Sequence, residues 1–266
     1  MTTKLYKVLN GDGTCYNGGR ARWSLPRGRR AGKWMPVIRN IKPCERGYHL
    51  CRLRDLPDWL GPAIWTAEGR GEKIVCNNKV VYAEARLLSP TGWTEQTARL
   101  FTADCARRVL PLYETANPGD ARPRRAIETA ERFAYGLVGV DELAAARDAA
   151  RDAARDAAGA AAWAAAWAAA GNAAGDAAGD AAWTAARAAA WAAARTAAGA
   201  AAGDAAWAAA WAADRKWQVG RLAQYLRGTA SLDSRRAKVE RAMRRTHIRP
   251  PAEGAISDQK QGCDSY

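Results

Sequence analysis

The 266-residue chain has only two histidines, His49 and His247, and no convincing Ser/His/Asp set can be assembled from them. It has no phosphate-cradling loop and no Gly-x-Gly-x-x-Gly segment, so the usual nucleotide fingerprints are missing. Six cysteines are present, Cys15, Cys44, Cys51, Cys76, Cys105 and Cys263, but none forms a Cys-x-x-Cys pair. The first residues, Met-Thr-Thr-Lys-Leu-Tyr-Lys, lack the apolar core of a secretory signal. Free thiols in a reducing cytoplasmic setting are therefore expected. Leucine, isoleucine, valine and phenylalanine are scarce beyond residue 140. The hydrophobic fraction of 48 % is largely alanine there, and each alanine methyl buries on the order of 0.8 kcal/mol. A core in that half must come from tryptophan and from close backbone approach. The uncharged stretch 157–175 reaches membrane-spanning length, but it is mostly Ala, Gly and Trp. Asp and Arg flank it, so no membrane association is expected.

What the chain does have is charge at its ends and a repeat between them. The net charge is +14, with +10 in residues 1–100, −1 in 101–144, −1 in 145–212 and +6 in 213–266. From Ala145 to Ala212 run seventeen tetrads that begin Ala-Ala. Their third residue is Arg, Gly or Trp and their fourth Asp, Ala, Thr or Asn, sets that single-base changes in one twelve-base DNA unit would generate. Alanine is the best helix former, so the repeat reads as helix. Four residues overshoot one turn by about 40°, so the tryptophans of one straight rod would circle its axis and face nothing. Breaks at Gly179-Asp180 and Gly203-Asp204 suit a stop followed by a new cap. Three helices, near 141–170, 181–198 and 205–227, are expected to fold into a bundle. Trp163, Trp167, Trp183, Trp191, Trp207, Trp211 and Trp217 would fill it. Arg147, Asp148, Arg151, Asp152, Arg155 and Asp156 would line an exposed ion-paired face.

Residues 94–140 read as helices with turns between them. Thr94 is placed to cap a helix through Cys105, Asn117-Pro-Gly-Asp120 marks a turn, and Pro123 opens a helix with Ile127, Ala130, Phe133 and Ala134 on one face. Gly136 ends it, and Asp141 is placed to cap the next. The stretch from Thr97 to Tyr113, then Pro118 to Ala130, and later Asp214-Arg-Lys-Trp-Gln-Val-Gly-Arg-Leu222, resembles the helical immunity proteins of bacterial toxin clusters. The likeness spans about 97–227, with the simple repeat standing where that family has a more varied Ala-rich segment. It implies stoichiometric binding of a protein partner and no turnover.

Residues 3–92 differ in composition. Strands are expected at Lys4–Leu9, Gly47–Cys51, Ala63–Glu68 and Lys79–Leu88, with a short helix over Leu53–Leu60 and a basic flexible loop at Pro26–Lys33. The run Pro43-Cys-Glu-Arg-Gly-Tyr-His-Leu-Cys51, followed by Asp55, Trp59 and Lys79-Val-Val, resembles an uncharacterised module common in phage proteins, one that carries no known activity. Two chemistries are weighed for it. Cys44, His49 and Cys51 cluster but lack the paired spacing of zinc ligands, and a buried strand would show the same alternation. A Gly-aromatic strand at Tyr48 and His49, a short helix after Cys51 and a later strand glutamate, Glu84, loosely resemble the ADP-ribosyltransferase superfamily. No cofactor or metal is assigned.

In the tail, Ser234 is placed to cap a basic helix carrying Arg235, Arg236, Lys238, Arg241, Arg244 and Arg245, and Pro250-Pro251 ends it. With Arg27, Arg29 and Arg30 these are the candidate phosphate contacts of weak, salt-dependent nucleic-acid binding. No aromatic stands in 231–249 to stack a base. The whole reads as α+β: a small α+β module at 1–92, an Ala/Trp-rich all-α helical bundle at 93–228 and a basic, largely disordered tail at 229–266. The expected role is non-catalytic binding of a protein partner in a phage or mobile-element setting. The alternatives are an ADP-ribosyltransferase-like enzyme and weak nucleic-acid binding.

Overall fold

The computed structural model describes residues 4–157 and 204–245, with Arg195 and Gly199 standing alone between them. The fold is mixed α+β, with the strands in the N-terminal part. Four strands, β1 (Leu5–Leu9), β2 (Tyr48–Arg52), β3 (Ala63–Val75) and β4 (Val80–Pro90), close into a small antiparallel barrel in the order β1-β2-β4-β3. Closure leaves no open sheet edge. Beyond the short β2, the edge of β4 is covered by an extended segment, whose Gly32, Met35 and Ile38 N–H groups donate to the carbonyls of Leu87, Ala85 and Ala83. Gly32 is required there, because a Cβ would sit 2.0 Å from the Ser24 carbonyl oxygen. All four expected strands are present, and β3 runs longer than its alternating part because it pairs along β4. The expected short helix is a 3-10 helix, Leu53–Asp58. Arg52 and Asp55 hold its start: Arg52 Nε donates to Asp55 Oδ2 at 2.6 Å.

Five α-helices follow among the described residues: α1 (Glu95–Ala116), α2 (Arg122–Ala134), α3 (Val140–Asp156), α4 (Asp204–Arg227) and α5 (Leu232–Arg245). Thr94 caps α1, its hydroxyl accepting from Thr97 N–H at 3.2 Å while Thr97 Oγ1 accepts from Thr94 N–H at 2.7 Å. The helix runs past Cys105 and through Pro111. Pro111 is exposed, and its carbonyl accepts from Thr115 Oγ1 at 2.8 Å. Gly136, at φ 68°, closes α2 as expected. The N-cap of α3 is Gly139 rather than Asp141, which lies in the first turn. Helix α3 covers the described part of the expected 141–170 helix as far as Asp156, where Arg122 holds the Asp156 carboxylate at 2.8 Å and Ala157 turns to extended backbone; residues 158–170 lie outside the described residues. The expected 205–227 helix corresponds to α4, and Gly228 at φ 68° ends it. The expected 181–198 helix and Trp163, Trp167, Trp183 and Trp191 lie outside the described residues.

The first turns of the repeat pack through alanine. Ala150, Ala153 and Ala154 of α3 are fully buried, and Ala150 joins Ala103, Ala106, Ala126 and Ile127 where α1, α2 and α3 meet. Their outer side carries the expected ion pairs Arg147–Asp148, Arg151–Asp148 and Arg155–Asp152. Barrel and helices are not separate bodies. One apolar cluster runs from Tyr6, Val8, Leu56 and Ile64 of the barrel end to Trp93, Phe101, Tyr113, Leu222 and Tyr225 of the helices. Trp93 Nε1 donates to the Gly61 carbonyl at 2.9 Å, and Gly92 N–H donates to Leu226 O at 2.9 Å. Among the described residues no helix is long and apolar enough to cross a membrane.

Candidate functional site

The barrel mouth holds a cleft of about 530 Å³, within the range of small-molecule sites. Its lining includes Lys7 of β1, His49 and Cys51 of β2, the indoles of Trp23 and Trp59, and Lys79 just before β4. Two loops add to it: residues 17–21, and the turn around Cys44. Each lysine is stacked on a tryptophan. Lys7 Nζ lies 5.1 Å from the Trp23 ring centroid and donates to the His49 carbonyl at 3.2 Å. Lys79 Nζ lies 5.2 Å from the Trp59 ring and donates to Cys44 Sγ at 2.8 Å.

The turn over the cleft is strained. Cys44 adopts φ 68°, a left-handed conformation uncommon for a residue with a Cβ. It is held there by backbone bonds between Lys42 and Arg46, and by its own N–H, which donates to His49 Nε2 at 2.9 Å. Gly47 follows at φ 123°, where a Cβ would meet Val81 Cγ1 at 2.5 Å. His49 thus acts as a strut for the turn.

Electrostatics set what the cleft can do. Burial holds the Lys7 ammonium below its ordinary value, partly opposed by the Cys15 and Cys51 thiols. Burial and the charges of Lys7 and Lys79 push His49 down, so its imidazole stays neutral at neutral pH. Burial raises the Cys51 thiol to about 12, against the pull of Lys7. The Cys51 thiol thus stays protonated, and the His49 Nε2 lone pair is taken up by the Cys44 N–H. Four cations line the cleft, Lys7, Arg20, Arg46 and Lys79, and one carboxylate, Glu45, whose Oε1 is already 2.8 Å from Lys42. Among the described residues no carboxylate lies within ion-pairing distance of any of the four. Trp23 is 4 % exposed, and its buried indole N–H has no hydrogen-bond partner among the described residues.

Of the sequence candidates, Tyr48, His49 and Cys51 come together in the cleft. Glu84 does not line it: Arg70 Nη2 donates to it at 2.6 Å, and Arg70 stacks on Trp34. Among the described residues no group of three His, Cys, Asp or Glu side chains could hold a metal ion. The candidate phosphate contacts divide. Arg27, Arg29 and Arg30 are exposed on a tight two-residue hairpin closed by reciprocal 3.0 Å bonds between Arg27 and Arg30, where a flexible loop was expected. Arg235 turns inward, 2.8 Å from Asp104 and bonded to Glu131 and Tyr225, and is not placed for a phosphate. Arg236 pairs with Glu240, while Arg241, Arg244 and Arg245 are exposed on α5. Ser231 precedes α5, and Ser234 lies within its first turn rather than at its cap.

Sequence reasoning missed Lys7, Trp23, Trp59 and Lys79. One signal was available: Lys7 is the only charged residue within Leu-Tyr-Lys-Val-Leu, the five residues of β1. No family model matches this chain, and no curated protein or solved structure is significantly similar to it.

Proposed function

We propose that this protein acts by binding and not by turnover, and that the barrel-mouth cleft receives an anionic group of its target. The supporting observation is Lys7: a partly buried ammonium that lines the cleft beside Arg20, Arg46 and Lys79, with no carboxylate among the described residues to answer it. Taking a charge out of water without a partner costs several kcal/mol, roughly, so such a group favours any anion that completes it. The neutral thiol of Cys51 and the engaged imidazole of His49 argue against acid–base or nucleophilic work there. A protein partner, as the helical part's resemblance implies, fits when it presents a carboxylate or phosphate to this cleft.

The test uses the full chain and its Lys7→Met variant, each immobilised, exposed to a bacterial lysate and washed with rising salt. A target held by the parent chain, released by salt, unchanged in mass and not retained by Lys7→Met is the expected result. Equal retention by both chains, or a target altered in mass, would overturn the proposal.

A further inference from the structure

The cleft combines features that a bare carboxylate would not use. Four cationic groups surround it, more charge than one carboxylate answers. Its walls carry Trp23, Tyr48 and Trp59, with Trp23 and Tyr48 packed edge to face at 5.5 Å. Aromatic walls hold a flat ring through stacking and apolar contact, and an ammonium binds a phosphate as a point charge. The edge of the Trp59 indole is already engaged, its Nε1 donating to the Asn78 carbonyl at 2.9 Å, so a ring would meet its face. The volume of about 530 Å³ admits a ring and a charged group together.

Resting on the anion-binding reading above, we propose that the cleft takes a planar aromatic ring bearing a phosphate, the class of a nucleoside monophosphate. The phosphate meets Lys7 and Lys79 with Arg20 or Arg46 at the rim, and the ring lies against Trp59, which is only partly buried. The strained turn at Cys44, braced by His49, keeps Arg46 and Lys79 at the mouth. No bond is made or broken. The ligand is held and released.

Calorimetric titration of the full chain with the four common nucleoside monophosphates, with inorganic phosphate and with the matching nucleosides tests this. At least one nucleotide should bind about tenfold more tightly than phosphate and than its nucleoside, a difference of roughly 1.4 kcal/mol. Trp59→Leu should weaken the nucleotide by a larger factor than it weakens phosphate, because the indole both stacks the ring and supports Lys79. Arg46→Gln, on an exposed turn outside the core, should weaken both without lowering the melting temperature, and so keeps the test meaningful if Lys7→Met fails to fold. Phosphate binding as tightly as every nucleotide would overturn the ring-bearing ligand and leave the anion cleft standing. No heat from phosphate or any nucleotide would overturn both.

Discussion

At the residue scale, environment rather than identity decides what each cysteine can do. Burial holds Cys51 near 12 and pushes Cys105, inside α1, well above the ordinary thiol value. A thiol must ionise to react. Cys44 is exposed beside Lys79. Brief iodoacetamide treatment at pH 8, mapped by mass spectrometry, should therefore modify Cys44 and spare Cys51 and Cys105 until the chain is unfolded. Early labelling of Cys51 would show that the cleft floor is not desolvated as described. The sequence showed that Cys44, His49 and Cys51 cluster, but not what each does. The strut from His49 to the Cys44 N–H depends on a left-handed residue and on Gly47. Gly47 is needed because the turn passes closely over Val81 there.

At the element scale, helix identities were legible from caps, prolines and composition, and the bounds of α4 with them, but contacts that tie one helix to another were not. Thr94, Pro123 and Gly136 behave locally, so their roles could be read directly. The last turn of α3 is tied to Arg122, more than thirty residues away, through Asp156, and no local pattern records that. The same holds for α5, which reads as a solvated basic helix but is docked by Arg235. That guanidinium bonds Glu131 and Asp104, and Glu131 also takes a bidentate pair of bonds from Arg107 at 2.6 and 2.7 Å. Burial pushes the Glu131 carboxyl up, but the bond from Arg107 and the charges of Arg235 and Arg107 outweigh it and hold it below its ordinary value. A carboxyl with a lowered folded-state value stabilises the fold above its unfolded value, about 4.3, and loses that contribution as pH falls through the folded value. Stability should thus decline below about pH 4. Glu131→Gln should cost roughly 3 kcal/mol at pH 7, because Arg107 and Arg235 lose their shared counter-charge, and should flatten the decline. Chemical denaturation at pH 7 and pH 3.5 checks this, and a variant as stable as the parent at pH 7 would contradict the docking role.

At the scale of the whole molecule, the composition break near residue 92 suggested two bodies, yet the apolar cluster crosses it. Tyr6, Val8 and Ile64 pack with Trp93, Phe101 and Tyr225. The closed barrel is too small to bury both ends of its strands, so the helices cover one end, and the cleft opens among its loops. Composition shifts report where residue types change and not where side chains meet, which is why the shared core escaped the sequence. Anything that binds the folded state and not the unfolded chain raises its stability by linkage, so an anion cleft must register in the unfolding of the full chain. The decisive measurement is thermal unfolding in rising inorganic phosphate, with ionic strength held constant by chloride, for the parent chain and for Arg46→Gln and Lys7→Met. The expected result is a melting temperature that climbs with phosphate in the parent and climbs less in both variants. No rise in the parent, or the same rise in all three, would contradict a cleft built to receive an anion.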